Sequence, residues 1–146
     1  MSTYKFNHPI TVRFVDIDSQ RHVNNAKFIS YLEDARYHYV VNLGLFDGKS
    51  FDELPLIVGE TRCRYIAPIE PCSKVIVSMG VTSIGTKSLT FGYEITGEDG
   101  TPLYARAETI MVTYDYHEKK SVPVSDEIRK RISDFEGIDF TKKHGS

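Results

Sequence analysis

The sequence predicts an α+β fold in which a curved, five-stranded antiparallel sheet packs around one long helix, with a short helix at the end. Three observations carry that expectation. Between residues 28 and 43 the apolar side chains Phe28, Tyr31, Leu32, Ala35, Tyr39 and Leu43 fall at helical spacing. After residue 55 the apolar period drops to two and stays there through four consecutive segments. From Ser125 the helical period returns, with Ile128, Ile132 and Phe135 on one face.

Taken in order, residues 4–15 (YKFNHPITVRFV) end in a β-branched and aromatic run that reads as a strand, with Pro9 limiting pairing near its start. A polar loop follows. The long helix should then run about four or five turns, with Lys27, Glu33, Asp34 and Arg36 between its apolar positions and Gly44 as its stop. Val40 and Val41 widen its apolar face, so it should sit deep against the sheet. The segment FDGKSFDEL reads as a loop with room for a short helical turn. LIVGETRCRYI, SKVIVSMGVTSI, SLTFGYEIT and PLYARAETIMVTY are the remaining strands. Pro68 and Pro71 separate the first two, Gly85 turns the next pair, and EDGT supplies a hairpin turn. The last helix is expected at about 125–136, its positive end suited by Asp126 and Glu127, and residues 140–146 should fray. A sheet of this kind leaves edges open, and edge-to-edge pairing into a dimer would cover them.

The length favours one domain over residues 1–146, and no repeat or linker suggests a second. With a net charge of −2 and no basic block outside the tail, the chain lacks the electrostatic footprint of nucleic-acid binding. No apolar stretch fits a membrane span, and the first residues lack a signal-like apolar core, so a cytoplasmic location is expected. Cys63 and Cys72 are too few for a disulfide framework, and Cys63 reads as a small buried thiol.

The chemistry concentrates in DIDSQRHVNN, Asp16 to Asn25, just before the long helix. A calcium loop starting at Asp16 would need glycine sixth and glutamate twelfth, where Arg21 and Lys27 stand, and no second histidine has zinc-type spacing, so no metal is expected. A structural reading makes Asn24 or Asn25 the helix cap, with Asp18 favouring the positive helix end. A catalytic reading uses the same helix end differently. Its free N–H groups hold an oxyanion on a carbonyl while Asp18 acts as base or nucleophile, the N–H of Asn25 donates to the oxyanion, and His22 orients water or substrate. The residues alone leave these two readings open.

The stretch RFVDIDSQRHVNNAKFISYLEDAR resembles the signature of the 4-hydroxybenzoyl-CoA thioesterase family: D-x-D, a short gap, H-V-N-N, an aromatic residue, then E-x-A-R. VGETRCRYIAPI, GTKSLTFGYEI and the PVS lead-in to the last helix continue the resemblance over nearly the whole chain. It implies the hotdog fold and hydrolysis of acyl-CoA or acyl-carrier-protein thioesters. It also implies no cofactor beyond the coenzyme A of the substrate, and a homodimer or homotetramer. Carried over by position, the catalytic carboxylate is Asp18 and the oxyanion donor is Asn25, with His22 beside them. Many members have glycine where Arg21 stands, a residue that permits positive φ.

Further expectations are weaker. Asn24, Phe28 and Tyr31 should border the substrate, with an acyl pocket near Phe28 and Tyr31 completed by a dimer partner. Glu60 is expected as a buried acid that positions water or, preferably, balances Arg62 or Arg64. Lys87 and Ser88 are placed to meet the phosphates or pantetheine of CoA. Glu33 and Arg36 should pair along the helix. His8, His38, His117 and His144 show no constellation. The competing functions are a non-catalytic acyl-CoA-binding module and a hydroxyacyl dehydratase, whose Asp–His signature is missing from the sequence.

Overall fold

A computed structural model describes residues 4–50 and 54–141. In chain order the elements are β1 (Phe6–Thr11), a single 3-10 turn (Phe14–Asp16), α1 (Asn25–Asn42), β2 (Leu56–Tyr65), β3 (Lys74–Ile84), β4 (Ser88–Gly97), β5 (Leu103–Asp115), β6 (Lys120–Ser121) and α2 (Asp126–Glu136). The antiparallel sheet has the strand order β1-β3-β4-β5-β2, and the two-residue β6 pairs with the end of β5. The α+β architecture matches expectation, with β6 as a sixth, minimal strand. Among the described residues no helix is long and apolar enough to cross a membrane.

The strand expected to continue through Val15 stops at Thr11. The reason is local. The carboxylate of Asp16 turns back to accept the backbone N–H of Arg13 at 3.0 Å, which closes the 3-10 turn and leaves Phe14 and Val15 exposed. Pro9 lies within β1, opposite Ile76, and is tolerated because β1 is an edge strand with one side free of ladder bonds.

The described residues pack as two compact units interleaved along the chain. The first takes in residues of Met1–His38, Arg62–Gly80 and Tyr93–Ala107. Its interior holds Phe28, Leu32, Ala35, Ile69, Val75 and Val77, so the early turns of α1 bury the face its spacing predicted. Arg36 turns from Glu33, its expected mate, and donates to the Tyr93 hydroxyl at 3.2 Å.

The second unit takes in residues of Tyr39–Thr61, Val81–Gly92 and Glu108–Ser146. Tyr39 is fully buried with its ring edge-on to Phe91 and Phe135, and its hydroxyl donates to Glu136 at 2.5 Å. Glu136 also accepts the N–H of Val81 at 3.1 Å, so one carboxylate serves a helix and a strand. Burial, reinforced by Glu136, pushes the Tyr39 hydroxyl far above its ordinary pKa and keeps it a donor. Helix α2 is capped by Ser125, whose side chain accepts the N–H of Ile128, and it ends at Gly137 in the left-handed conformation. Arg129 is buried on this helix and donates to the carbonyls of Gly85 and Phe140. Phe140, expected to begin a frayed tail, is therefore held, its own N–H donating to Ser133; residues 142–146 lie outside the described residues. In the loop after α1, Asp47 accepts the N–H groups of Lys49 and Ser50, an Asx-type turn rather than a helical one; residues 51–53 lie outside the described residues.

Helix α1 ends as Gly44 predicts. Gly44 has φ +73°, its N–H donates to Val41, and the N–H of Leu45 donates to Val40, the two bonds of a Schellman motif. Arg131 adds a cation, donating to the carbonyl of Leu43. A Cβ at Gly44 would stand 2.5 Å from the Arg131 guanidinium tip as well as in a strained backbone conformation. Gly44→Ala should therefore cost about 1–2 kcal/mol, read as a lower denaturant midpoint with the slope of the transition unchanged.

Candidate active site

The loop between the 3-10 turn and α1 is anchored from its buried end. Asp16 has no exposed surface. Its Oδ2 accepts the Arg13 N–H and, at 2.7 Å, the Tyr31 hydroxyl, while Oδ1 accepts the Arg13 guanidinium at 3.1 Å with Lys27 Nζ 4.0 Å away. Burial pushes the carboxyl pKa up, but the Arg13 N–H, the Tyr31 hydroxyl and the guanidinium together outweigh it, and Asp16 titrates below the ordinary carboxylate range. Tyr31 answers in kind: burial and the Asp16 carboxylate hold its hydroxyl protonated. Tyr31 is thus an anchor for Asp16 inside the fold.

From this anchor the chain makes a closed turn. Ile17 and Val23 form a bridge, the N–H of Asp18 donates to the carbonyl of His22, and the N–H of Arg21 donates back to Asp18 at 2.9 Å. The Asp18 side chain accepts the N–H of Gln20 at 2.9 Å through Oδ1. Closing so short a turn forces one residue into the left-handed region, and that residue is Arg21, φ +66°. Arg21 thus occupies, at an energetic cost, the conformation that glycine takes freely.

Asn24 joins the turn to the helix. Its backbone N–H donates to the carbonyl of Asp16 at 2.8 Å, and its Oδ1 caps α1 by accepting the N–H of Ala26 at 2.8 Å. Its remaining amide nitrogen donates to Asp18 Oδ2 at 3.2 Å. One side chain therefore caps the helix and aims the carboxylate, which makes Asn24 a positioning residue for Asp18. Asn25 is the first residue of α1, and its N–H has no acceptor among the described residues.

Asp18 and Asn25 line one open cleft of about 400 Å³ in the first unit. Gln20 and His22 complete the polar wall, and Val23 adds an apolar contact at its base. Phe28 and the run Tyr65, Ile66, Ala67 and Pro68 make the apolar one. His22 sits at the rim with Nε2 3.3 Å from Glu70 Oε1, both partly exposed. The cleft thus combines a carboxylate, an unpartnered helix N-terminal N–H and an apolar wall, the parts an acyl-transfer site requires.

Tyr65 is a site residue the sequence reading did not single out. Its ring stands edge-on to Phe28 with centroids 5.0 Å apart, and its hydroxyl donates to the carbonyl of Asn25 at 3.1 Å. Partial burial and the neighbouring Cys63 raise the pKa of that hydroxyl, so it remains a donor. Cys63 itself is only half-buried, less enclosed than expected, with burial raising its thiol pKa. The signal for Tyr65 was its place at the end of β2, directly before the Ile66–Pro68 bend.

Of the expected substrate residues only Phe28 lines this cleft; Asn24, Tyr31, Glu60, Lys87 and Ser88 are not among its lining residues. Glu60 is exposed on the edge strand β2, contrary to the expectation of a buried acid. An edge strand leaves a mid-strand side chain in water where a central strand would bury it. Lys87 is exposed and Ser88 half-buried at the β3–β4 turn, and neither lines the cleft. Their backbone carbonyls accept the N–H groups of Thr113 and Gly85 respectively. His8 and His38, expected to be isolated, meet at Asp34.

The sequence pattern of the thioesterase-like superfamily matches residues 12–132. The chain belongs to that superfamily. It is an enzyme of the thioesterase class with the hotdog fold. A thioesterase of Thermus thermophilus, whose crystal structure contains coenzyme A and Zn, superposes with a TM-score of 0.82 at 29% identity, covering 94% of this chain and 98% of that one. The long-chain acyl-CoA thioesterase FadM of Escherichia coli is 24% identical over 84% of this chain and 93% of its own length. A 1,4-dihydroxy-2-naphthoyl-CoA thioesterase of Synechocystis shares the fold at a TM-score of 0.80 and 20% identity, covering 90% of this chain and 97% of that one. The match is to the broad superfamily, coarser than the 4-hydroxybenzoyl-CoA family the motifs resemble.

Two measurements test the loop. Replacing Arg21 with glycine should raise stability by up to about 1 kcal/mol, whereas Arg21→Val should lower it by more than about 1 kcal/mol, both read from denaturant midpoints. The second concerns Asp16, whose folded pKa lies below its unfolded value near 3.8. Its contribution is therefore complete above that value and lost as the pH falls through the lower, folded pKa. Melting temperatures followed downward from neutral pH should converge for the parent and Asp16→Asn once the pH passes below about 3.8, with the parent higher above it.

Proposed function

We propose that the protein hydrolyses acyl-CoA thioesters, with Asp18 as the catalytic carboxylate and the N–H of Asn25 as the oxyanion donor. The observation that carries this reading is that the two line one cleft, the carboxylate fixed by Asn24 and the N–H without an acceptor. The thioester carbonyl docks at the N-terminus of α1 with its oxygen on Asn25. Asp18 takes a proton from a water as that water attacks the carbonyl carbon, and the resulting oxyanion is held by the N–H and the positive helix end. Collapse breaks the C–S bond, the proton passes to the CoA sulfur, and the acid leaves. Direct attack by Asp18 uses the same groups: the carboxylate bonds to the acyl carbon as the C–S bond breaks and CoA leaves as thiolate. Water then hydrolyses the mixed anhydride, releasing the acid and restoring Asp18 while the thiolate takes up a proton. His22 lies where it can order water, and Phe28, Tyr65 and Ile66 offer the acyl group an apolar surface. The coenzyme A in the Thermus relative and the acyl-CoA activity of FadM favour CoA as the carrier over an acyl-carrier protein. No cofactor beyond the substrate's own CoA is invoked. Tyr65 and Ile66 are 46% and 45% exposed, and a second copy of the chain in a homodimer would enclose that wall.

The test is release of free thiol from a panel of short, long, branched and aromatic acyl-CoA substrates. Asp18→Asn should lower kcat/KM by about 10²-fold or more while leaving the melting temperature near that of the parent. A parent that releases no CoA from any member of the panel points instead to an acyl-CoA-binding module. Equal rates for parent and variant would keep the enzyme and discard Asp18.

A further inference from the structure

We propose that His8, Asp34 and His38 form a binding site for one divalent transition-metal cation of the zinc class, separate from the cleft. The site arises from two elements whose sequence positions give no hint of it. Asp34 and His38 are four apart on α1, so they occupy one face a single turn apart. His8 projects from the edge strand β1 onto that face. One donor atom from each residue lies within 4.8 Å of the other two. His8 Nε2 is 2.8 Å from Asp34 Oδ2, and His38 Nδ1 is 3.8 Å from Asp34 Oδ1 and 2.8 Å from the Asp34 carbonyl oxygen. The two imidazoles stack at 4.2 Å with their planes 23° apart.

The charge balance argues for a cation. No lysine or arginine is bonded to Asp34, whose partners among the described residues are these two histidines. A divalent cation would take one donor atom from each of the three side chains at once. Two imidazole nitrogens and one carboxylate oxygen suit zinc and its borderline neighbours; magnesium and calcium prefer all-oxygen sites. The donors are reachable, with side chains 16%, 51% and 46% exposed for His8, Asp34 and His38. None lines the cleft. A bound ion would tie β1 to α1, a clamp on an edge strand whose other side has no partner among the described residues.

The full-length chain, stripped with a chelator, is titrated with zinc chloride by calorimetry. One equivalent should bind per chain and raise the melting temperature, and magnesium or calcium should do neither. His8→Gln and His38→Gln should each weaken zinc binding at least about tenfold, while His117→Gln, at an exposed loop position, should not. A readout on the parent alone removes any dependence on the folding of the variants: of the five histidines, the imidazole resonances of His8 and His38 should be those that shift on zinc addition. The proposal is overturned if the parent binds no equivalent of zinc, if folded His8→Gln and His38→Gln bind it as the parent does, or if those two resonances stay in place.

Discussion

Asp16 is a carboxylate without exposed surface, and three other parts of the chain are arranged around it. It closes the 3-10 turn through Arg13, reaches the second turn of α1 through Tyr31, and receives the N–H of Asn24 on its carbonyl. A buried acid is tolerated only when its lone pairs are filled, and each partner here comes from a segment whose position matters to the cleft. Removing it would leave a buried phenol and a backbone N–H without acceptors, and the loop would lose its register against the helix. The placement of Asp18 and Asn25 thus rests on a residue that does not itself line the cleft.

Capping the helix and orienting the Asp18 carboxylate fall to one side chain in this loop. The helix end must have some of its N–H groups satisfied, and Asn24 provides for one by capping Ala26. The same amide then aims Asp18. The cap leaves the N–H of Asn25 without an acceptor among the described residues, and the proposed mechanism uses that group. Tyr65 strengthens the arrangement from the opposite wall by donating to the carbonyl of Asn25, which fixes the peptide plane on one side of that residue.

Much of this was legible in the sequence, and the exceptions share a physical pattern. Periodicity located both helices and the long strands because burial imposes those periods directly, and D-x-D followed by H-V-N-N marked the loop. Arg21 was legible as a problem: a position that favours glycine, which the structure resolves as a left-handed residue. What periodicity does not encode is pairing between distant segments. Tyr65 meets Asn25 across 40 positions, and His8 meets Asp34 across 26. Tyr31 shows the same gap: helical spacing puts it on the buried face of α1, but not its hydroxyl on Asp16, 15 positions away. Glu60 failed on burial: its apolar neighbours suggested a buried mid-strand acid, and it is exposed on β2, a strand at the edge of the sheet.

The turn from Asp18 to His22 is closed upon itself by the Ile17–Val23 bridge, and Ser19, Gln20 and Arg21 at its tip all face solvent. The Asp18 carboxylate is therefore held from two sides, by the stem through Asn24 and by the tip through the N–H of Gln20. What the tip contributes to that hold is backbone, so its side chains can be altered to reshape the cleft mouth as long as position 21 keeps its left-handed conformation. On the proposed mechanism, the outline of the cleft and the aim of the carboxylate are thereby set by different atoms of the same ten residues.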